Sequence, residues 1–125
     1  MYAKELNLEV EFTGKLEKEE WIELSKNYNV FINTSHFDNT PISVIEAMAL
    51  GLPVISTNVG GIPFLLENRK NALLVNDSDT LAMVNNIKEI FSNQDIRNTI
   101  IKNARLIAES FDWSVVKEKW LDILK

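Results

Sequence analysis

At 125 residues, with 46% hydrophobic and 25% charged side chains, the chain has the composition of an ordinary soluble domain and room for one hydrophobic core. A net charge of −5 excludes the basic footprint of a nucleic-acid binder, and the absence of cysteine excludes disulfides and thiolate metal sites. No apolar run approaches the roughly 18 to 20 residues that span a bilayer, and the N-terminus has no signal-like apolar stretch, so cytoplasmic residence is the expectation.

Strand and helix signals alternate along the chain, without repeats or low-complexity tracts. Leu8 to Thr13 alternates apolar and polar residues with period two and predicts a strand with one polar face. Lys18 to Tyr28 places Trp21, Ile22 and Leu24 at spacings suited to a short amphipathic helix. Asn29 to Asn33 is an apolar run between polar flanks, the pattern of a buried parallel strand. Ser43 to Leu50 predicts a helix that Gly51 stops ahead of Pro53, and Val54 to Ser56 and Ala72 to Val75 predict two more short strands. The order β-α-β-α-β-α-β implies an α/β fold, a parallel sheet with crossover helices.

The last third is helical. Leu81, Val84, Ile87, Ile90 and Phe91 form one stripe, and Ile96, Ile100, Ala104, Ile107 and Ala108 a second, both read as core-facing. Trp113, Val116, Trp120 and Leu124 continue the pattern in a final helix, read first as closing the core. Exposure of those aromatic residues would instead mark a partner surface.

The functional signal lies in residues 36–62. A polar loop, His36-Phe37-Asp38-Asn39-Thr40-Pro41, opens the helix that carries Glu46 among apolar neighbours. Gly51-Leu52-Pro53 then leads into a strand that ends at Gly60-Gly61. A carboxylate beside a loop and a helix N-terminus accepts hydrogen bonds from sugar hydroxyls, while the unpaired N–H groups of that terminus receive phosphate. The two together suit a nucleotide sugar. Ile42, Ser43, Ala49 and Leu50, on the same helix face as Glu46, are apolar or small, an unusual setting for a freely solvated carboxylate.

Asp38 and Glu46, eight positions apart and followed by Ala47-Met48-Ala49 and Gly51-Leu52-Pro53-Val54-Ile55, resemble the acidic-x7-acidic signature of the group 1 (retaining, GT-B type) glycosyltransferases. The likeness extends to Val10-Glu11-Phe12-Thr13-Gly14, Val30 to Ser35, Gly60-Gly61-Ile62-Pro63, Asn71 to Val75 and Phe111-Asp112-Trp113, so it covers nearly the whole chain. It implies a Rossmann-like parallel sheet with flanking helices, in which residues 1–125 are a single partial domain, the later part of the C-terminal donor-binding half. It also implies that Asp38 meets the transferred sugar, the one position given a catalytic place. Glu46 would accept from the ribose diol, and Asn39, Thr40, Pro41, Ile42 and Ser43 would lie against the sugar hydroxyls or the diphosphate. Gly60 and Gly61 would let backbone approach the ligand. The family's first acidic position is usually glutamate; Asp38 reaches about one methylene less, which bears on sugar identity.

The resemblance further implies transfer from a nucleotide-diphosphate sugar to an acceptor hydroxyl with retention, no metal cofactor, and a full-length enzyme that is cytoplasmic or membrane-peripheral. Neither the acceptor-binding domain nor the Arg and Lys that commonly steady the departing diphosphate is among these residues. The isolated chain is therefore expected to bind donor weakly and to transfer nothing. Non-catalytic nucleotide-sugar binding and an assembly role are the alternatives.

Asp77-Ser78-Asp79 resembles the metal-holding Asp-x-Asp of another glycosyltransferase fold. Its place between a strand and a helix starting near Thr80 reads instead as an N-cap with first-turn acids. His36, the only histidine, reads as a neutral loop residue rather than a catalytic base. The glycosylation sequons at Asn33 and Asn76 carry little weight without a secretory signal. In a strand order 3-2-1-4-5-6, Leu8 to Thr13 would be strand 3 and Asn29 to Asn33 strand 4, with strands 1 and 2 missing between them. Leu8 to Thr13 is therefore expected either to dock beside Asn29 to Asn33 or to pair with a second chain in a two-fold dimer.

Overall fold

Three short apolar segments make the sheet of the computed structural model, which describes residues 2–125; the first, expected to be a buried strand, lies at the sheet edge and leaves Ile32 40% exposed. Strands β1 (Phe31–Asn33), β2 (Val54–Thr57) and β3 (Leu73–Val75) are parallel in the order β1-β2-β3, with Ile32 opposite Ile55 and Ser56 opposite Leu74. Every residue of β2 is buried, as expected of a central strand covered on both faces. Parallel neighbours need crossovers, and helices α3 (Ile42–Ala49) and α4 (Ile62–Leu65) provide them.

Alternation along β2 splits the core between the two faces of the sheet. Val54 points to a cluster with Val44, Met48, Ile62 and Ala104, and Ile55 points to one with Leu73, Ile90 and Ile100. Helices α5 (Thr80–Ser92) and α6 (Gln94–Glu109) supply the last residues of those clusters. Small residues of α6, Ala104 and Ala108, let it lie close to α3, where the Arg105 guanidinium donates to the Ala49 carbonyl at the α3 C-terminus. Of the first helical stripe only Ile90 is fully buried, while Leu81 and Phe91 are exposed. In the turn before β3, buried Asn71 accepts from the Glu67 amide at 2.7 Å and donates to the Leu65 carbonyl at 3.3 Å. Beside it Arg69 holds Glu89 with two hydrogen bonds of 3.0 and 2.7 Å, which lower the carboxyl's pKa from its ordinary value.

Several expectations need correction. Leu8 to Thr13 forms no strand: it follows α1 (Tyr2–Glu5) as irregular, exposed chain, with Phe12 67% exposed. A strand is defined by its ladder, and the two neighbours that would link this segment to β1 are not among the 125 residues. The segment does not dock beside β1 either, because among the described residues β1 pairs with β2 alone. The last helix, α7 (Trp113–Leu124), does not close the core; it buries no residue fully, and Trp113 and Trp120 are 69% and 55% exposed. Helix α2 (Lys18–Ser25) is a turn shorter than its periodicity suggests, with a capping box from Glu17 and Glu20.

Candidate functional site

All three strands end on the same side of the sheet, where parallel α/β folds bind ligands. The loop after β1, residues 34–41, is tied to the loops after β2 and β3 by three hydrogen bonds. Thr57 Oγ1 donates to the Ser35 carbonyl at 2.6 Å, the Gly61 amide donates to the Asp38 carbonyl at 2.7 Å, and His36 Nδ1 lies 2.6 Å from Asp77 Oδ1. Below them, Asn33 Nδ2 donates to Ser56 Oγ and accepts from Ser35 Oγ through Oδ1, fixing the exit from β1.

The glycine pair has a definite steric task. Gly60 has φ +53, and a Cβ there would stand 2.1 Å from the Asp38 carbonyl oxygen; a Cβ on Gly61 would stand 1.6 Å from that of Asn39. What approaches these glycines is therefore the Asp38-Asn39 backbone itself. Asp38 is half-buried in that loop, Asn39 and Thr40 are exposed, and Pro41 is buried at the N-cap position of α3. No side chain caps α3, so the first-turn amides of Ile42 and Ser43 keep the unpaired state of a helix start. Phe37 in the loop, Ile42 at the start of α3 and Phe64 in α4 (94% exposed) are exposed apolar side chains.

Glu46 lies further along α3 and faces a different hollow. It is half-buried in a cleft of about 390 Å³ with Gly14, Lys18, Trp21, Phe31 and Ser43. Trp21 and Phe31 meet edge to face at 6.0 Å, and the Trp21 indole N–H is buried without a partner. Asp38 is not among the residues that line this cleft, so the structure does not bring the two acidic positions into one hollow. Lys18 and Trp21 were legible only as parts of an amphipathic helix; no sequence signal sets them beside Glu46.

The acidic triplet divides its work. Of the two candidates for the cap, Ser78 and Asp79, it is Asp79 that caps α5, accepting from the Ala82 amide at 3.0 Å. Ser78 turns the chain with φ +62, and Asp77 reaches back to His36.

The model of the group 1 glycosyl transferases matches residues 1–107. The chain belongs to that family. It is 31% identical over 111 residues to a sulfoquinovosyl transferase of Arabidopsis thaliana, a match covering 86% of this chain and 22% of that protein. Its fold matches a sucrose-phosphate synthase from Thermosynechococcus elongatus with a TM-score of 0.86 and 29% identity, over 98% of this chain and 32% of that one. Anabaena HepE, solved in complex with UDP-glucose, matches with a TM-score of 0.85 and 25% identity, over 98% of this chain and 34% of that one. The group 1 domain described here thus spans between a fifth and about a third of the length of these relatives. Its sheet and helices match the Rossmann-like C-terminal domain of GT-B glycosyltransferases. Among the described residues, no helix is long and apolar enough to cross a membrane.

Proposed function

We propose that residues 1–125 are part of a donor-binding domain that takes a nucleotide-diphosphate sugar for retaining transfer to an acceptor hydroxyl. The observation that carries this reading is the half-buried Glu46 in its aromatic-lined cleft, one helical turn from the uncapped start of α3. Two carboxylate oxygens suit the vicinal diol of a ribose, and Trp21 with Phe31 offers the flat apolar wall that a nucleoside needs. The backbone N–H groups of Asn39, Thr40, Ile42 and Ser43 then face the diphosphate and the sugar hydroxyls, and the helix start favours the negative charge of the diphosphate. Asp38, held in place by Gly60 and Gly61, is assigned to the transferred sugar. The UDP-glucose complex of HepE supports the ligand class.

Transfer itself needs an acceptor site and cations for the departing diphosphate, which a longer polypeptide or a partner would bring. We assign the 125 residues alone weak donor binding without turnover, and no metal ion. The unpaired outer edge of β1 favours a second reading, a non-catalytic binding or assembly module.

Calorimetric titration with UDP-, GDP- and ADP-sugars, with and without EDTA, tests the proposal. Glu46→Ala is expected to weaken binding about ten- to a hundred-fold, the loss of hydrogen bonds to an ionised acceptor, and Asp38→Ala to weaken it less because the nucleotide anchors the donor. Equal affinity of wild type and Glu46→Ala for every sugar nucleotide refutes the assignment. Loss of binding on adding EDTA refutes its metal independence.

A further inference from the structure

The contact between His36 and Asp77 joins residues 41 positions apart, and neither side chain has a part in the donor site proposed above. A cavity of about 390 Å³, lined by Thr34, Thr57, Val75, Asp77 and Met83 among others, separates the loop after β1 from the loop after β3. With that space between them, the two loops are not held together by packing. Among the described residues, the imidazole-carboxylate pair at 2.6 Å is the one side-chain hydrogen bond that crosses it. His36 is two residues ahead of Asp38 and next to Ser35, whose carbonyl Thr57 already holds.

We propose that His36 and Asp77 are positioning residues for the Asp38 loop: Asp77 accepts from His36 Nδ1–H and tethers the near side of the loop, while Gly61 tethers the far side through the Asp38 carbonyl. The functional consequence rests on the reading of Asp38 as the sugar-side residue. The tether itself does not. A carboxylate can only accept, so Nδ1 is the ring nitrogen that carries a proton in this contact. The positive φ of Ser78 makes this arrangement possible, by turning Asp77 toward β1 while Asp79 stays on the α5 amides. Both partners are exposed, His36 at 78% and Asp77 at 45%, so the tether biases the loop rather than locking it.

The test uses the 125-residue chain in solution. Two-bond nitrogen-proton spectra of wild type at neutral pH are expected to show the Nδ1–H tautomer of His36, and Asp77→Ala to shift it toward Nε2–H. Amide exchange of Gly61, which reports its hydrogen bond to the Asp38 carbonyl, is expected to rise about two- to five-fold in His36→Ala and in Asp77→Ala, in keeping with a weak, solvent-exposed contact. It should be restored in Asp77→Asn, whose carbonyl oxygen still accepts. The Leu52 amide, bonded to the Ala47 carbonyl at 3.0 Å and remote from the loop, should not change. Unchanged Gly61 exchange, or a parallel rise at Leu52, overturns the proposal. With UDP-glucose and UDP as probes, His36→Ala should lower affinity for the first two- to five-fold and leave the second alone. Wild type that binds neither probe defeats the donor reading, while the exchange data still decide the tether.

Discussion

Gly61→Ala separates steric from conformational cost in this fold. Gly61 has φ −85 and ψ −8, which alanine adopts freely, so whatever the substitution costs comes from space. The new Cβ would overlap the Asn39 carbonyl oxygen, which must retreat by roughly 1.5 Å or more to restore ordinary carbon-oxygen contact near 3.3 Å. That retreat breaks the Gly61 amide bond to Asp38. Overpacking of about 1–3 kcal/mol and a lost hydrogen bond of about 1 kcal/mol sum to about 2–4 kcal/mol. At this chain length the corresponding fall in Tm is roughly 6–15 °C. Gly51→Ala is the matched comparison: its φ is +77 and nothing lies within 4 Å of the added Cβ, so it carries only the left-handed backbone cost of about 1–2 kcal/mol. Urea unfolding followed by circular dichroism gives both stabilities, and amide shifts of residues 36–40 report the loop. Gly61→Ala as stable as Gly51→Ala, with those shifts in place, would show that the glycines do not seat the Asp38 loop.

Asp79→Ala should cost about 0.5–2 kcal/mol of stability by removing the α5 cap and leave sugar-nucleotide affinity unchanged; a manganese-induced rise in Tm that vanishes in Asp77→Ala/Asp79→Ala would reverse the assignment of the triplet. Because Glu89 has a lowered pKa in the folded chain, its pair with Arg69 stabilises above the ordinary carboxylate value of about 4.5 and is lost as pH falls through the lower folded value. Glu89→Gln should therefore lower Tm at pH 7, less so at high salt, and match wild type at pH 2; an equal deficit at both pH values contradicts the charge argument. If the free edge of β1 pairs with a second copy, sedimentation velocity should show a concentration-dependent dimer, and a monomer at every accessible concentration removes that branch.

Local chemistry in the sequence determined most of the elements. Gly51 and Pro53 bounded α3 and β2, the apolar run before Asn33 announced a strand though not the exposure of Ile32, and the polar residues after β3 announced a helix cap without deciding between Ser78 and Asp79. Each of these depends on neighbours within a few residues, the range over which propensity, periodicity and capping act. The acidic pair and the Gly-Gly turn were likewise legible as a motif. Tertiary structure decided what the motif's parts touch. Leu8 to Thr13 has the alternation of a strand, yet the ladder that makes a strand comes from other segments, and none reaches it here. Trp113 and Trp120 follow a core-facing period, but no surface packs over them. The contacts of Gly61 with the Asp38 loop, of His36 with Asp77, and of Glu46 with the cleft beside Trp21 each join distant parts of the chain. Such contacts exist only because the parallel sheet brings the ends of its strands to one side, a constraint that no short window of sequence contains.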